Sequence, residues 1–234
     1  MAIVRISAAE AVVDYFRTRI TDGDLKPGDR LPSERKLQEE LGVSRVALRE
    51  GLAQLNALGV LGSSQGRATV VAAEVDVRSL GDVFLPLAAS DEARYEQDLL
   101  DTRRLLEVQG AALAANRAST ADHTELEAIV HDLAGALSQP TDYLKHDERL
   151  HHRIVTASGN TVLAHFHSML QQQLEPIVAS SIANKKDRLV SLEQHRAIVR
   201  AIVAGESQGA SELMASHLGS CANAYYRAQG AQHD

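Results

Sequence analysis

Residues 30–71 read RLPSERKLQEELGVSRVALREGLAQLNALGVLGSSQGRATVV. Ser33 and Ser44 are each suited to cap the N-terminus of a helix, and Gly42 between them tolerates a left-handed turn without steric cost. The stretch therefore predicts two short helices separated by a tight turn, followed by a hairpin with a Gly-Arg tip. This order of elements is what a protein needs to lay one helix in the major groove of DNA and to rest a wing beside it.

A further helix is predicted before this stretch, because Ala8, Val12, Phe16 and Ile20 recur every four residues. Gly59 is expected to end the last of the three helices. The helices are predicted over residues 7–22, 33–41 and 44–58, and the two strands of the hairpin over residues 60–61 and 69–71.

Five basic or flexible positions are candidates for DNA contact. Arg45 and Arg49 lie one turn apart on the third helix, and an arginine fork can bond guanine O6 and N7 together or grip a phosphate. Arg35 on the second helix is placed to touch the DNA backbone. In the wing, Gly66 lets the loop approach a sugar-phosphate edge, and Arg67 is expected to enter the minor groove. The alternative is a three-helix module that binds protein, but the wing favours DNA.

The segments LPSER (31–35), LGVSR (41–45) and GRAT (66–69) resemble the winged helix-turn-helix of GntR-type bacterial transcription regulators. The resemblance implies DNA contact at the matching positions, which are Arg35, Ser44, Arg45, Arg49 and Gly66. Two departures from the family pattern are Ala68, where glycine is usual, and Val46-Ala47, which replaces a more polar pair. We expect the first to stiffen the wing and the second to alter the bases preferred.

Charge and histidine content divide the 234 residues into two parts. Residues 1–72 carry a net charge of +1 and residues 73–234 one of -8, and all ten histidines fall in the second part. This contrast predicts a DNA-binding domain over residues 1–74 and a second domain over residues 75–231. An acidic second domain does not exclude DNA, because phosphate binding needs only a local basic face.

Composition predicts a soluble, cytoplasmic protein. Hydrophobic residues make up 44% of the chain and charged residues 24%, as in ordinary globular proteins. The single cysteine, Cys221, cannot form an internal disulfide, which fits a reducing compartment. We find no apolar run long enough to span a membrane and no signal peptide, so no membrane partner is expected.

The second part shows helical periodicity and no convincing strand, so the predicted fold is mainly α: an antiparallel all-helical bundle behind the winged domain. Its helices are predicted over residues 76–88, 94–118, 121–137, 141–157, 161–182, 189–204 and 207–227. Thr120 and Asn160 are expected as N-caps, and Gly159 and Gly205 as helix stops. Pro176 is expected to kink or break its helix.

Four polar residues of the bundle fall on the apolar faces of their helices. Asp147 and His151 lie one turn apart beside Leu144 and Ile154, while His195 and His217 lie in apolar stripes on two other helices. Because a buried carboxylate and buried imidazoles need partners, the pattern predicts a divalent metal site. Its ligands would be Asp147, His151, His195 and His217.

Three nitrogens and one carboxylate oxygen suit zinc above all, and also nickel, manganese or iron(II), with positions left open if the metal is five- or six-coordinate. Taken alone, the Asp147–His151 pair would equally fit a hydrogen bond on a helix surface. Inward-facing His195 and His217 favour the metal. The remaining histidines, including His152, His165 and His167, are expected to have ordinary structural roles, although His152 or His165 could line a pocket.

The same four residues resemble the metal site of the FCD domain, the all-helical effector domain of the FadR branch of GntR regulators. The resemblance implies a homodimer whose bundle binds a small organic acid, a carboxylate metabolite, at the metal. Arg103 matches an arginine near the family's pocket and could bind the acid's carboxylate. Glu107, one turn further on, could instead hold Arg103 in an internal ion pair.

We therefore predict a ligand-responsive transcription regulator, a repressor, whose dimer binds a palindromic double-stranded operator. Two other classes stay open at this stage. One is a metal-dependent hydrolase, but the sequence has no HExxH element and no inward glutamate placed as an obvious general base. The other is a purely structural metal site with no ligand.

Overall fold

The computed structural model describes residues 7–63, 68–72, 81 and 84–233. The chain divides into two compact units, residues 1–77 and residues 78–234. The first unit contains helices α1 (Ala8–Thr21), α2 (Glu34–Leu41) and α3 (Arg45–Ala57) and strands β1 (Leu61–Ser63) and β2 (Thr69–Val71). The second contains α4 (Leu85–Ser90), α5 (Glu92–Arg117), α6 (Thr120–Gly135), α7 (Pro140–Ala157), α8 (Thr161–Ser181), α9 (Lys185–Val203) and α10 (Ser207–His233). The predicted fold class is confirmed.

Capping residues determine where helices α2 and α3 of the first unit begin, as predicted. The Ser33 side chain caps α2, and Ser44 caps α3 by accepting a hydrogen bond from the Ala47 amide at 3.2 Å. Gly42 between the two helices has a φ of 65°, a conformation that costs a residue with a Cβ atom. The turn therefore has the geometry of a helix-turn-helix.

The third helix is held against the first by close packing. A Cβ atom at Gly51 would lie 2.7 Å from the Val12 Cβ atom, so only glycine allows this approach of α3 to α1. Strands β1 and β2 pair antiparallel, with Leu61 opposite Val71. The tip of the predicted wing, including Gly66 and Arg67, lies outside the described residues.

The bundle confirms most predicted helices and corrects several boundaries. Ser119, not Thr120, caps α6, since its side chain accepts from the Asp122 amide. Helix α9 begins four residues earlier than predicted because Asn184 caps it. Helix α8 runs through Pro176 without a break, whereas a kink or break was expected.

Two further differences concern the ends of the bundle. Helix α10 continues to His233, six residues beyond its predicted end. The predicted helix at residues 76–88 lies mostly outside the described residues, and α4 begins only at Leu85. No strand belongs to the bundle among the described residues. Within the same residues, none of the helices combines the length and apolar character needed to cross a membrane.

Helices α5 and α7 approach closely in the bundle core. A Cβ atom at Gly110 on α5 would lie 3.1 Å from the Val155 Cγ2 atom on α7. One turn before each of these residues are Glu107 and His151, both buried. The absence of a side chain at Gly110 therefore brings two polar groups together inside an otherwise apolar core.

Candidate metal centre and DNA-reading helix

The structure brings together the four residues predicted as metal ligands. The Nε2 atom of His195 lies 3.1 Å from the Nε2 atoms of both His151 and His217, and the latter two are 3.2 Å apart. The Asp147 carboxylate is 3.5 Å from His195 Nε2 and 3.8 Å from His151 Nε2. All four side chains are buried. Three helices, α7, α9 and α10, thus point three imidazoles at a single place, and the Asp147 carboxylate lies beside two of them.

Neighbouring polar groups fix the orientation of two of the imidazoles. His151 Nδ1 donates to Glu107 Oε2 at 2.5 Å, and because an ionised carboxylate only accepts hydrogen bonds, Nδ1 carries the proton. Gln194 donates its amide nitrogen to Ser220, which leaves its carbonyl oxygen to accept from His217 Nδ1 at 2.9 Å. The Nε2 atoms of both rings consequently present lone pairs to each other.

Facing lone pairs repel unless a cation lies among them. Nitrogens bound to one metal at 2.0–2.1 Å would be about 2.9 Å apart in an octahedral arrangement and about 3.4 Å in a tetrahedral one. The separations of 3.1–3.2 Å fall between these limits. The donor set therefore fits a divalent metal ion.

The pKa shifts of His195 and His217 agree with this, whereas that of Asp147 favours its protonated form in the absence of a metal. Burial, followed by the positive charge of neighbouring groups, lowers the pKa of both His195 and His217 well below its usual value. Burial raises the pKa of Asp147, while His151 and Arg103 act in the opposite direction. Both histidines are accordingly neutral near pH 7, which is the form that binds metals.

Glu107 was considered from the sequence only as a possible ion-pair partner of Arg103, and its contact with His151 was missed. Its carboxylate accepts from Arg103 Nε at 2.8 Å and lies 3.0 Å from His167 Nε2, in addition to its bond with His151. Burial alone would raise the pKa of Glu107, but Arg103 and His151 lower it well below its usual value. A buried, ionised glutamate thus orients His151 from behind, as carboxylates commonly do for metal-binding histidines.

Arg103 is engaged with Glu107 in the internal ion pair that was the alternative to ligand contact. Glu107 faces inward, but Arg103 and His151 bind its carboxylate, so it is not placed as an obvious general base. His167, expected to have an ordinary structural role, is buried and joins the same network, and its Nδ1 atom has no hydrogen-bond partner among the described residues. One feature of the sequence could have predicted this network. Helical spacing places Arg103, Glu107 and Gly110 on the same inward stripe of α5.

Two cavities border the four-residue cluster. A cleft of about 550 Å³ reaches Ser191, Gln194 and Cys221, which lie behind His195 and His217. A second cavity of about 20 Å³ is lined by two of the four residues, Asp147 and His151, and by Arg103 and Glu107, and it has room for about one water molecule. Burial raises the pKa of Cys221 to about 12, so a neutral thiol lines the cleft.

In the first unit, three of the four predicted DNA-contacting arginines, Arg35, Arg45 and Arg49, are exposed and lie beside acidic groups, and the fourth, Arg67, lies outside the described residues. Arg49 Nε lies 3.2 Å from both carboxylate oxygens of Glu34, and Arg45 Nε lies 3.8 Å from one of them. Arg35 forms an exposed ion pair with Glu39 at 3.1 Å. Ser44, implied by the resemblance as a DNA-contacting residue, has its hydroxyl engaged as the cap of α3.

The winged helix-turn-helix and the polar centre of the helical bundle define the class: a bacterial DNA-binding regulator with an all-helical regulatory domain. Residues 8–71 match the gntR family of bacterial regulatory proteins, and residues 98–220 match the FCD domain. The chain therefore belongs to the GntR family, in the group that carries an FCD domain. It is a transcription regulator of that type and not an enzyme.

Curated relatives agree with this membership. The chain is 32% identical, over 93% of its length and 86% of the relative's, to an Escherichia coli K12 protein whose name connects it with regulation of the L-lactate dehydrogenase operon. It is 31% identical to the transcriptional regulator LutR of Bacillus subtilis, over 85% of this chain and 92% of LutR. Among solved structures, Streptococcus agalactiae GntR aligns with a TM-score of 0.72 and 28% identity, covering 92% of this chain and 99% of that one.

Proposed function

We propose that this regulator is a repressor that senses a small carboxylic acid at a divalent metal held by Asp147, His151, His195 and His217. The observation that carries the proposal is the convergence of three buried imidazole Nε2 atoms within 3.2 Å of one another beside a carboxylate. Zinc is the first metal to test, and nickel, manganese and iron(II) are the alternatives.

The metal would supply a concentrated positive charge that binds an anion. Four protein ligands leave positions open if the ion is five- or six-coordinate, and a carboxylate oxygen can fill one of them. Residues of the protein fix the geometry of the site. Glu107 and Gln194 orient the His151 and His217 rings, and burial in the bundle limits access of water.

An acid would reach the metal through the small cavity that Asp147 and His151 line, which must widen to admit it, because none of the four proposed ligands lines the cleft of about 550 Å³. The larger cleft is lined by Lys186, Arg227 and Asp187, and because Arg227 lies 3.5 Å from Asp187, the charge of Lys186 alone is left to attract an anion there. Ligand contact by Arg103 stays part of the proposal, although Arg103 now binds Glu107 and the cavity beside it holds only about one water molecule. An acid that reached Arg103 would share it with Glu107 and widen that cavity.

The relatives suggest which acid to try first. One of them is named for the L-lactate dehydrogenase operon, and L-lactate is a small carboxylate. For the acid to control transcription, it must bind two arrangements of the regulator unequally and so change operator affinity.

Metal-dependent stabilisation by L-lactate is the direct test. In the zinc-loaded protein we expect the acid, at about 100 times its Kd, to add about 2.7 kcal/mol of stability and to raise Tm by about 5 °C or more. After chelation of the metal the same acid should leave Tm unchanged, and lactamide, which has no carboxylate, is the matched control ligand. Operator affinity, measured by fluorescence anisotropy, should fall when the acid binds.

Other outcomes would identify the alternatives. If the protein binds zinc but no small carboxylate changes Tm or operator affinity, the metal is structural and the sensing proposal is wrong. Conversion of an acid or ester by the zinc-loaded protein would indicate a hydrolase. An acid that increases operator affinity would support sensing but contradict repression.

We further propose that the protein is a homodimer, held by the bundle, that places two α3 helices on a palindrome. The full chain should sediment at twice its own mass, and the isolated segment 1–74 should bind a palindromic operator at least about 10-fold more weakly, because it loses the second, linked half-site. Equal operator affinity of the segment and the full chain would contradict the assignment of dimerisation to the bundle.

A further inference from the structure

Glu34 is an acidic residue at the surface where DNA is expected to bind. It begins α2, yet its carboxylate faces α3, with both oxygens 3.2 Å from Arg49 Nε and one of them 3.8 Å from Arg45 Nε. A carboxylate at this position opposes phosphate binding. Because Glu34 nevertheless contacts two candidate base-reading arginines, we asked what it contributes to DNA recognition.

The atoms involved suggest what that function is. A guanidinium group can form paired hydrogen bonds along its side, through Nε, or at its end, through the two terminal nitrogens. Glu34 accepts its hydrogen bonds from Nε of Arg49, at the side of the group. The end of the group can bond guanine O6 and N7, and the hydrogen bonds that Arg49 donates to Glu34 leave its terminal nitrogens unused.

We propose that Glu34 is a positioning residue for operator specificity: it tethers Arg49 by Nε so that the terminal fork faces the base edge. Holding a long, exposed side chain in one orientation lowers the entropy that the side chain loses when it binds a base. The same negative charge weakens contact with phosphates of unrelated DNA. Glu34 thus raises the ratio of operator affinity to random-DNA affinity. The inference rests on the proposed role of Arg49 as a base reader.

Two substitutions separate the tether from the charge. Glu34→Gln removes the charge, and Glu34→Asp keeps it but shortens the side chain by one methylene. Affinities are measured by fluorescence anisotropy on the full chain, with an operator selected from random DNA by the wild-type protein and with a random duplex of the same length. Asp14→Asn is the matched control, because it removes an equal charge from an exposed pair with Arg17 on α1.

We expect the operator-to-random ratio to fall about 10-fold in both Glu34 variants, within the range that one paired base contact contributes. Glu34→Gln should also bind random duplex about 3-fold more tightly and steepen its dependence on salt by about one counterion. Glu34→Asp should bind random duplex as the wild type does. Asp14→Asn should change neither affinity by more than about 2-fold, and no variant should alter the melting temperature.

Arg49→Ala, alone and combined with a Glu34 variant, tests separately whether Arg49 reads a base and whether Glu34 tethers Arg49. If Arg49→Ala lowers the ratio and Glu34→Asp, which keeps the charge, lowers it no further in the Arg49→Ala background, the tether is supported. A wild-type ratio in both Glu34 variants would overturn the inference alone, provided that Arg49→Ala lowers the ratio. A normal ratio in Glu34→Asp with a reduced one in Glu34→Gln would overturn the tether, since charge would then suffice. An unchanged ratio in Arg49→Ala would remove both roles.

Discussion

His195→Ala is expected to reduce zinc affinity at least about 100-fold and to abolish the response of operator binding to acid. Loss of a residue that only orients a metal ligand commonly costs about 10–100-fold in affinity, so loss of a ligand should cost at least as much. His195 is central to the cluster, because its Nε2 atom is within 3.1 Å of both other imidazoles and 3.5 Å from Asp147. Zinc affinity is measured by competition with a chelating dye.

The control for His195→Ala is His131→Ala, which removes an exposed histidine of α6. It should bind zinc and respond to acid as the wild type does. Because His195 is fully buried, the metal-free melting temperature of each variant is measured as well, and His195→Asn serves as a second variant that leaves a smaller cavity. Full zinc occupancy in a folded His195 variant would show that the proposed ligand set is wrong.

Arg45→Ala is expected to cost about 1–3 kcal/mol of operator binding, concentrated on one base position, if Arg45 reads a base. The residue begins α3, and its guanidinium group is exposed and only loosely associated with Glu34, at 3.8 Å. Removing a residue that reads a base and removing one that contacts a phosphate have different effects on DNA binding. Loss of a reader relaxes specificity at one position, whereas loss of a phosphate contact weakens binding to all sequences and reduces the salt dependence.

Arg17→Ala is the matched control for Arg45→Ala, since Arg17 is an exposed arginine of α1 paired with Asp14. It should leave the preferred bases unchanged. The measurement is operator selection from random DNA with each variant, followed by affinity for the selected sites. Unchanged base preference in Arg45→Ala would exclude the reading role.

The DNA-binding unit could be predicted closely because its signals act within one or two turns of chain. Ser33, Gly42 and Ser44 cap and separate α2 and α3 through bonds to their own neighbours. The inward direction of Asp147 and His151 is of the same kind, since residues four apart share a helix face. Boundaries were wrong where a stronger cap lay nearby, as with Ser119 for α6 and Asn184 for α9.

By itself, then, the sequence determined the order of elements, the helix-turn-helix and the set of polar residues that face the bundle core. Only the tertiary structure decided which polar groups meet: Glu107 with His151 across the close contact at Gly110, His167 with the same carboxylate, and Glu34 with Arg49. The physical reason is that caps and helical periodicity depend on neighbours along the chain. Contacts between helices depend instead on how closely the helices approach and at which register, and these are set by packing of the whole core.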